Sequence, residues 1–521
     1  MKRLALKTIN FLVITLLLFA LYVLVARQLF TLPSIENRLD SHVLTAPNTS
    51  PWAQYINKLS EQHPGQSGIK PLASGLDAFI MRLLLIEKAQ VSIDVQYYIW
   101  HNDLTGLWLL QALKKAADRG VRVRLLLDDN GIDGLDAIIN QLNQHELIDI
   151  RLYNPFVVRQ LKWINFTWDF FRLNHRMHNK AMIVDGLAAI VGGRNIGDEY
   201  FNTGLNRHYN DLDVLTIGRV TPDIAANFDL FYNSQLAIPA DQIINPNKID
   251  TDFLGQAFKP LKKTKQYLAY RQAIIDSNLA QAIPNHDIVT TWSEVTLISD
   301  HPKKSLGVNR KDVLMVTRLS EILESPQSKV DIVTPYFVPA KSVKLFANLT
   351  ARGVKVRILT NSFEANDVIP VHAGYAKYRK PLLQAGVELF ELKVNHAIEE
   401  NKADLGFMGS SGASLHAKTF AVDDRLVFVG SFNFDPRSAR LNTEMGVVID
   451  NPQLAQNIHR HFQQDLQRQA YRLELDQDGD IIWLDYQNPD DNKIYHKDPN
   501  STALHRMMLT LIGWLPIQKL L

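Results

Sequence analysis

The longest apolar run of the chain lies at its start. Ile9 to Ala26 carries no charged residue, with Lys2, Arg3 and Lys7 before it and Arg27 behind it. As a helix these 18 residues reach about 27 Å, close to the roughly 30 Å hydrocarbon core of a bilayer. The reading this favours is an uncleaved membrane anchor over residues 1–27. A cleaved signal peptide ending at Leu24-Val25-Ala26 and a buried helix are the alternatives. Three cations precede the run and only Arg27 and Arg38 follow closely, so the charge bias leaves the N-terminus in the cytoplasm and the rest outside it.

Residues 28–71 are rich in Pro, Gly, Ser and Asn and read as a tether and loop. From residue 72 the period alternates between helix and strand. Helices are predicted over Leu76–Ala89, Leu104–Arg119 and Gly134–His145, and strands over Val91–Ile99, Val121–Leu127 and Ile148–Tyr153. The same order returns with helices over Lys311–Leu323, Lys341–Ala351 and Tyr375–Gln384. Its strands are Val330–Val338, Val354–Leu359 and Val387–Leu392. The alternation predicts a mostly parallel α/β sheet covered on both faces. Tyr97 aligns with Tyr336, and Arg119-Gly120-Val121 with Arg352-Gly353-Val354, so the chain carries a large internal duplication. Two domains follow, 72–234 and 306–470, with 235–305 as a crossover or cap and 471–521 as a C-terminal segment.

Composition narrows the chemistry. Over 521 residues, 56 Lys+Arg against 54 Asp+Glu give +2, too balanced for binding nucleic acid through bulk charge. With no Cys there is no disulfide framework, thiolate nucleophile or Cys-ligated zinc.

The duplication is closest in HNKAMIVDGLAAIVGGRN and HAKTFAVDDRLVFVGSFN. His178 and His416, Lys180 and Lys418, Asp185 and Asp423, and Asn195 and Asn433 are each separated by 238 residues. Each His begins an apolar strand, and the Lys two positions on points to the same face. Asp185 and Asp423 end that strand before a turn, where a capping role is expected. A second strand pairs back as a hairpin and should bring each Asn beside its His. A buried Lys costs several kcal/mol unless it meets an anion. Two facing His-Lys-Asn sets therefore suit a phosphodiester, one His attacking as the other protonates the leaving alkoxide.

The doubled HxKxxxxD with its Gly-Gly/Ser-x-Asn tail resembles the phospholipase D superfamily. YYIW (97–100), RGVRVRLLLDDN (119–130), GGRNIGDEYF (192–201), LTNSFEANDV (359–368), GSSGASLHAK (409–418), GSFNFDPRS (430–438) and NTEMG (442–446) are similar to bacterial cardiolipin synthases, closest to the C type. The resemblance covers roughly residues 60–521. It implies two duplicated phospholipase D-like α/β sandwich domains, related by a pseudo-twofold axis and sharing one active site. It further implies His178 as nucleophile and His416 as acid/base, though the pseudo-symmetry leaves that order open. Lys180, Lys418, Asn195 and Asn433 would bind phosphoryl oxygens, supported by Ser431 and its counterpart Gly193. An acidic residue past each motif would orient an imidazole. Glu444 fits that role, as does Asp211, with Asp213 as the alternative. No metal or cofactor is implied.

Two further stretches fit a membrane surface. Phe156–Arg176 mixes Trp163, Phe166, Trp168, Phe170 and Phe171 with Arg159, Lys162 and Arg172, and Leu504–Leu521 reads as a surface-lying amphipathic piece. The expectation is a phosphatidyltransferase anchored in the bacterial inner membrane, its catalytic domains periplasmic. It would form cardiolipin from a donor, phosphatidylglycerol or phosphatidylethanolamine, and phosphatidylglycerol. A hydrolase releasing phosphatidic acid is the alternative, and a catalytically dead lipid-binding scaffold is a rival from another class. Phospholipids are the expected partners and nucleic acid is not; protein partners are not legible.

Overall fold

The architecture is taken from a computed structural model. It describes residues 2–203, 209–244, 251–277, 279, 291–394, 414–464, 466–488, 491–515 and 520. A helix over Lys2–Leu29 opens the chain, almost wholly exposed and, over Arg3–Leu29, long and apolar enough to cross a membrane. Only its end is docked. Arg27 Nε donates to the Trp168 carbonyl (2.8 Å), Tyr22 Oη lies 2.7 Å from Thr167 Oγ1, and Phe30 stacks on Trp168 at 5.1 Å.

The strands are β1 (Ser67–Leu72), β2 (Ser92–Tyr97), β3 (Arg122–Asp128), β4 (Ile148–Tyr153), β5 (Ala181–Val184), β6 (Ala188–Gly192), β7 (Tyr209–Asn210), β8 (Asp213–Gly218) and β9 (Ala237–Pro239). After the midpoint follow β10 (Thr291–Ser299), β11 (Lys329–Val333), β12 (Lys355–Asn361), β13 (Glu388–Leu392), β14 (Ser414–Leu415), β15 (Thr419–Val422), β16 (Leu426–Gly430), β17 (Met445–Asp450), β18 (Ala470–Leu475), β19 (Ile481–Asn488) and β20 (Asp491–Tyr495). Among the described residues the first half is ordered β9-β4-β3-β2-β5-β6-β8 and the second β13-β12-β11-β15-β16-β17, the same topology twice. Helices over Gly75–Lys88, Leu104–Asp118 and Asp136–Asn143 make the crossovers of the first half. Gly120 and Gly353 end the corresponding helices at φ 97° and 82°, which explains the repeated Arg-Gly-Val.

Several expectations are corrected. The sheet is mixed, not mostly parallel. Among the described residues of this sheet only β2-β3-β4 and β11-β12-β13 run parallel, because helical crossovers join those strands, whereas the motif hairpins β5–β6 and β15–β16 are antiparallel. The segment 28–71 is more than a tether. It holds a helix, Pro51–Glu61, and all but the last residue of β1. β1 pairs with β8 on one side and with β10 on the other, and β10 pairs with β17. Two strands outside the repeats thus fuse both halves into one eighteen-stranded order. The crossover region 235–305 supplies one of them, together with helices Phe253–Leu261 and Lys265–Asp276. Residues 471–521 begin as sheet, since β18 pairs with β13 and carries β19 and β20. Only then comes the helix Ala503–Trp514, which leaves Leu504, Met507, Leu511 and Trp514 exposed. Residues 516–519 and 521 lie outside the described residues.

The Tyr97–Tyr336 alignment slips. β2 and β11 are equivalent at an offset of 237, because Ser92 faces Arg122 as Lys329 faces Lys355. Tyr97 is buried and accepts from Arg82 Nε (3.0 Å), while the Tyr336 hydroxyl donates to Asp367. An apolar cluster joining Ile69, Leu212 and Val214 to Val427, Val429, Val447 and Ile449 gives the halves a common core.

Candidate active site

The site forms where β5 and β15 begin. His178 and His416 lie just ahead of these strands, with Lys180 and Lys418 two residues on, all four buried. Each His is fixed by the opposite half. His178 N donates to the Thr443 carbonyl (2.9 Å), and His178 Nδ1 lies 2.8 Å from Glu444 Oε2. His416 N donates to the Asn210 carbonyl (2.8 Å), and His416 Nδ1 lies 2.5 Å from Asp211 Oδ2. The two-residue strand β7 pairs with β14 to make the second junction, and Met177 bridges Thr443 to make the first. The acid past each motif therefore serves the other motif's imidazole.

This geometry separates Asp211 from Asp213. Asp213 faces Gly192 in the β6–β8 pairing as Gly446 faces Gly430 in β16–β17, so Asp211 stands where Glu444 does. The Asp213 carboxylate instead accepts from Arg82 Nη2 (2.8 Å). The sites differ at the next position. Ser431 Oγ donates to Glu444 Oε2 (2.5 Å), whereas a Cβ on Gly193 would stand 2.1 Å from Asp211 Oδ1. A long acid with a serine in one half is matched by a short acid against bare backbone in the other.

Lys180 Nζ donates to its own His178 carbonyl (2.7 Å), and Lys418 Nζ to that of His416, with His416 Nδ1 a further 3.1 Å contact. Burial lowers both ammonium groups, Lys180 to about 7 and Lys418 to about 8. Burial, then Lys180, Lys418 and His416, push His178 well down, so its imidazole is neutral. His416 is lowered by burial and Lys418 against the pull of Asp211. Burial raises Glu444 to about 7. Burial also opposes ionisation of Asp211, but the adjacent His416, Lys418 and Arg194 hold it below its usual range.

Asn195 Nδ2 donates to Tyr200 Oη (3.0 Å), and its Oδ1 accepts from Ile99 N (3.3 Å). The buried Asn433 Oδ1 has no hydrogen-bond partner among the described residues. Asp185 and Asp423 stand at the far end of their strands. Asp185 accepts from the backbone N–H of Gln90, Val91 and Ser92, and Asp423 from those of Gln327, Ser328 and Lys329. Both cap the turn leading into the neighbouring strand, with φ of 54° and 50°.

The sequence left several supporting residues unnamed. Ser438 Oγ donates to Glu444 Oε1 (2.7 Å), and Asp300, paired with Lys304 at 2.7 Å, accepts from Glu444 N. Arg194 Nη2 clamps the Asp211 carbonyl (2.5 Å). Tyr98 stands edge-on to His178 at 4.9 Å, and Tyr200 and Tyr209 pack on His416 at 5.2 and 5.1 Å. Ser438 lies inside GSFNFDPRS, Tyr98 inside YYIW, and Arg194 and Tyr200 inside GGRNIGDEYF, which were the available signals. Residues 409–413 of GSSGASLHAK lie outside the described residues.

A carboxylate that holds Nδ1–H turns Nε2 into the site, with a lone pair on a neutral imidazole or a proton on an imidazolium, and two such groups beside two ammonium groups suit an anionic diester. A family model described as cardiolipin synthase, PLD-like domain, matches residues 83–228 and 319–466. Cardiolipin synthase C of Escherichia coli is 44% identical over 473 residues, covering 90% of this chain and 99% of that protein. Cardiolipin synthase 1 of Bacillus anthracis is 28% identical over 76% of this chain and 66% of that one. The crystal structure of a phosphatidylserine synthase from Haemophilus influenzae shares the fold, with TM-score 0.54 at 16% identity over 89% of this chain and 99% of that one. The chain belongs to the cardiolipin synthase family of PLD-like proteins.

Proposed function

We propose that this protein is a membrane-anchored cardiolipin synthase that works through a phosphohistidine. The observation that carries the reading is the crossed pairing of His178 with Glu444 and His416 with Asp211. His178 Nε2 attacks the phosphorus of a donor phospholipid and forms a P–N bond as the P–O bond to the headgroup breaks. The departing alkoxide takes the Nε2 proton of His416, which enters this step as an imidazolium held by Asp211. A hydroxyl of phosphatidylglycerol then gives its proton back to His416 and forms the new P–O bond as P–N breaks. Lys180, Lys418, Asn195 and Asn433 bind the phosphoryl oxygens. The order of the two imidazoles is supported by their acids, since ionised Asp211 stabilises an imidazolium on His416 and Glu444 sits beside a neutral His178.

The donor is phosphatidylglycerol or phosphatidylethanolamine. The cationic bias of Lys2, Arg3 and Lys7 supports a cytoplasmic N-terminus with the catalytic halves in the periplasm. The aromatic helix Phe166–Leu173, on which the anchor ends, exposes Phe171 and lies at the bilayer surface. The test is lipid product analysis with purified protein on phosphatidylglycerol vesicles, with and without phosphatidylethanolamine. Cardiolipin is expected, and its loss in both His178→Ala and His416→Ala. Phosphatidic acid alone would make the enzyme a hydrolase, and no product would refute the reading.

A further inference from the structure

The two imidazoles face different surroundings. In the first half, Asp128, Asp129 and Asp136 are engaged by cations and backbone. Arg159 holds Asp129 and Asp136, Lys162 Nζ stands 3.7 Å from Asp129, and Arg176 Nη1 stands 3.3 Å from Asp128. Asp128 also accepts from Met177 N and Asn130 N. Among the described residues, the Tyr98 hydroxyl, against His178, receives a long contact from Asn130 Nδ2 (3.4 Å).

Beside His416 stands a carboxylate held by phenols. Tyr336 Oη donates to Asp367 at 2.9 and 3.0 Å from its two oxygens, and Tyr209 Oη donates to Asp367 Oδ2 at 3.1 Å. The Tyr209 ring packs on His416 at 5.1 Å, and Tyr200 completes the wall. Tyr209 comes from the first half, whereas Tyr336 and Asp367 come from the second. Asp367 is exposed, and its charge is felt by buried Lys418. A carboxylate offers about four acceptor positions, so one oriented by two phenols keeps capacity for a donor arriving from outside.

We infer that Asp367, oriented by Tyr336 and Tyr209, binds the headgroup alcohol of the lipid whose phosphodiester is cleaved. This rests on the reading of His416 as the group that protonates that alcohol. The ligand chemistry is a small headgroup carrying hydrogen-bond donors beyond the ester oxygen. The hydroxyls of a glycerol headgroup and the ammonium of an ethanolamine headgroup both supply them. A methyl headgroup supplies none.

The full-chain protein is assayed in mixed micelles for release of headgroup from phosphatidylglycerol, phosphatidylethanolamine and phosphatidylmethanol. The readout is the ratio of kcat/KM for each natural headgroup over the methyl one, in wild type, Asp367→Asn and Tyr336→Phe. A general structural loss lowers numerator and denominator together and leaves the ratio unmoved. The inference expects Asp367→Asn to lower at least one ratio about tenfold, the scale of one hydrogen bond to a charged group, and Tyr336→Phe to lower the same ratio less. Whichever ratio falls further names the headgroup. Ratios within twofold of wild type for both headgroups in both variants overturn it. Headgroup release occurs in transfer and in hydrolysis alike. Wild-type protein that releases headgroup without making cardiolipin would therefore refute the proposed synthase while still testing Asp367.

Discussion

The pseudo-symmetric acids respond differently to the same chemical change. Glu444 presents Oε2 to His178 Nδ1 and Ser431 Oγ and, among the described residues, Oε1 to Ser438 Oγ. In Glu444→Gln the amide nitrogen can take the Oε1 position, because a hydroxyl rotates to accept. The oxygen stays on His178, its tautomer is kept, and the loss is one charge-assisted bond, about 1.5–3 kcal/mol. Asp211 has no such freedom. Its Oδ2 meets His416 Nδ1 and its Oδ1 accepts the backbone N–H of Leu212 at 2.8 Å. In Asp211→Asn the amide nitrogen either opposes that fixed N–H or faces His416 Nδ1 and forces the other tautomer. To the lost charge this adds an unsatisfied buried donor or a misplaced proton, about 1–3 kcal/mol more. The totals correspond to rates lower by roughly 10- to 100-fold for Glu444→Gln and roughly 100- to 10,000-fold for Asp211→Asn. Product formation at saturating phosphatidylglycerol, on protein whose circular dichroism matches wild type, measures both. Equal losses, or a greater loss for Glu444→Gln, would refute the tautomer reasoning.

Sulfate, whose charge is constant across the range, should inhibit best while Lys180 and Lys418 are protonated. Its affinity holds below pH 7 and falls as pH rises through about 7 and then about 8, at least about tenfold by pH 9; a flat competitive-inhibition profile contradicts this. Gly193→Ala puts a methyl against Asp211 Oδ1 and should cost more activity than Ser431→Gly, which removes one hydrogen bond; parallel assays compare them. Asp185→Ala strands three backbone donors and should lower stability by about 2–4 kcal/mol, read as a lower thermal midpoint, while turnover per folded molecule persists. Deleting residues 2–30 should move the protein from the membrane fraction and take Tyr22 and Phe30 off Trp168, seen as a red shift in its fluorescence.

What the sequence disclosed follows from where its repeats are ungapped. The motif hairpins stayed in register because nothing is inserted between His178 and Asn195 or between His416 and Asn433. Past that point the second half is five residues shorter before its acid, which left Asp211 and Asp213 equivalent by spacing. Counting along the chain also ties each acid to its own motif, whereas the fold ties it to the other. β1 escaped notice because Gly68 and Pro71 mark it as loop. It is a strand because β8 supplies a partner along its whole length, while β10 pairs only with residues 67–69 and leaves Pro71 free of that second ladder. The break in the predicted helix Tyr375–Gln384, into Ile369–Ala376 and Arg379–Gln384, has no local signal in the apolar pattern.

The crossed acids also bear on assembly. A chain holding one repeat would carry an imidazole, a lysine and an acid, yet the acid would be directed at a neighbour's imidazole. Such a chain completes its chemistry only as a pair, and the concentration of complete sites would then depend on the dissociation constant of that pair. Joining both copies through β1 and β10 makes the encounter intramolecular, so every molecule holds a finished site at any dilution. The same linkage frees the two copies to diverge, one keeping Glu with Ser and the other Asp with Gly, which a symmetric pair of identical chains could not do.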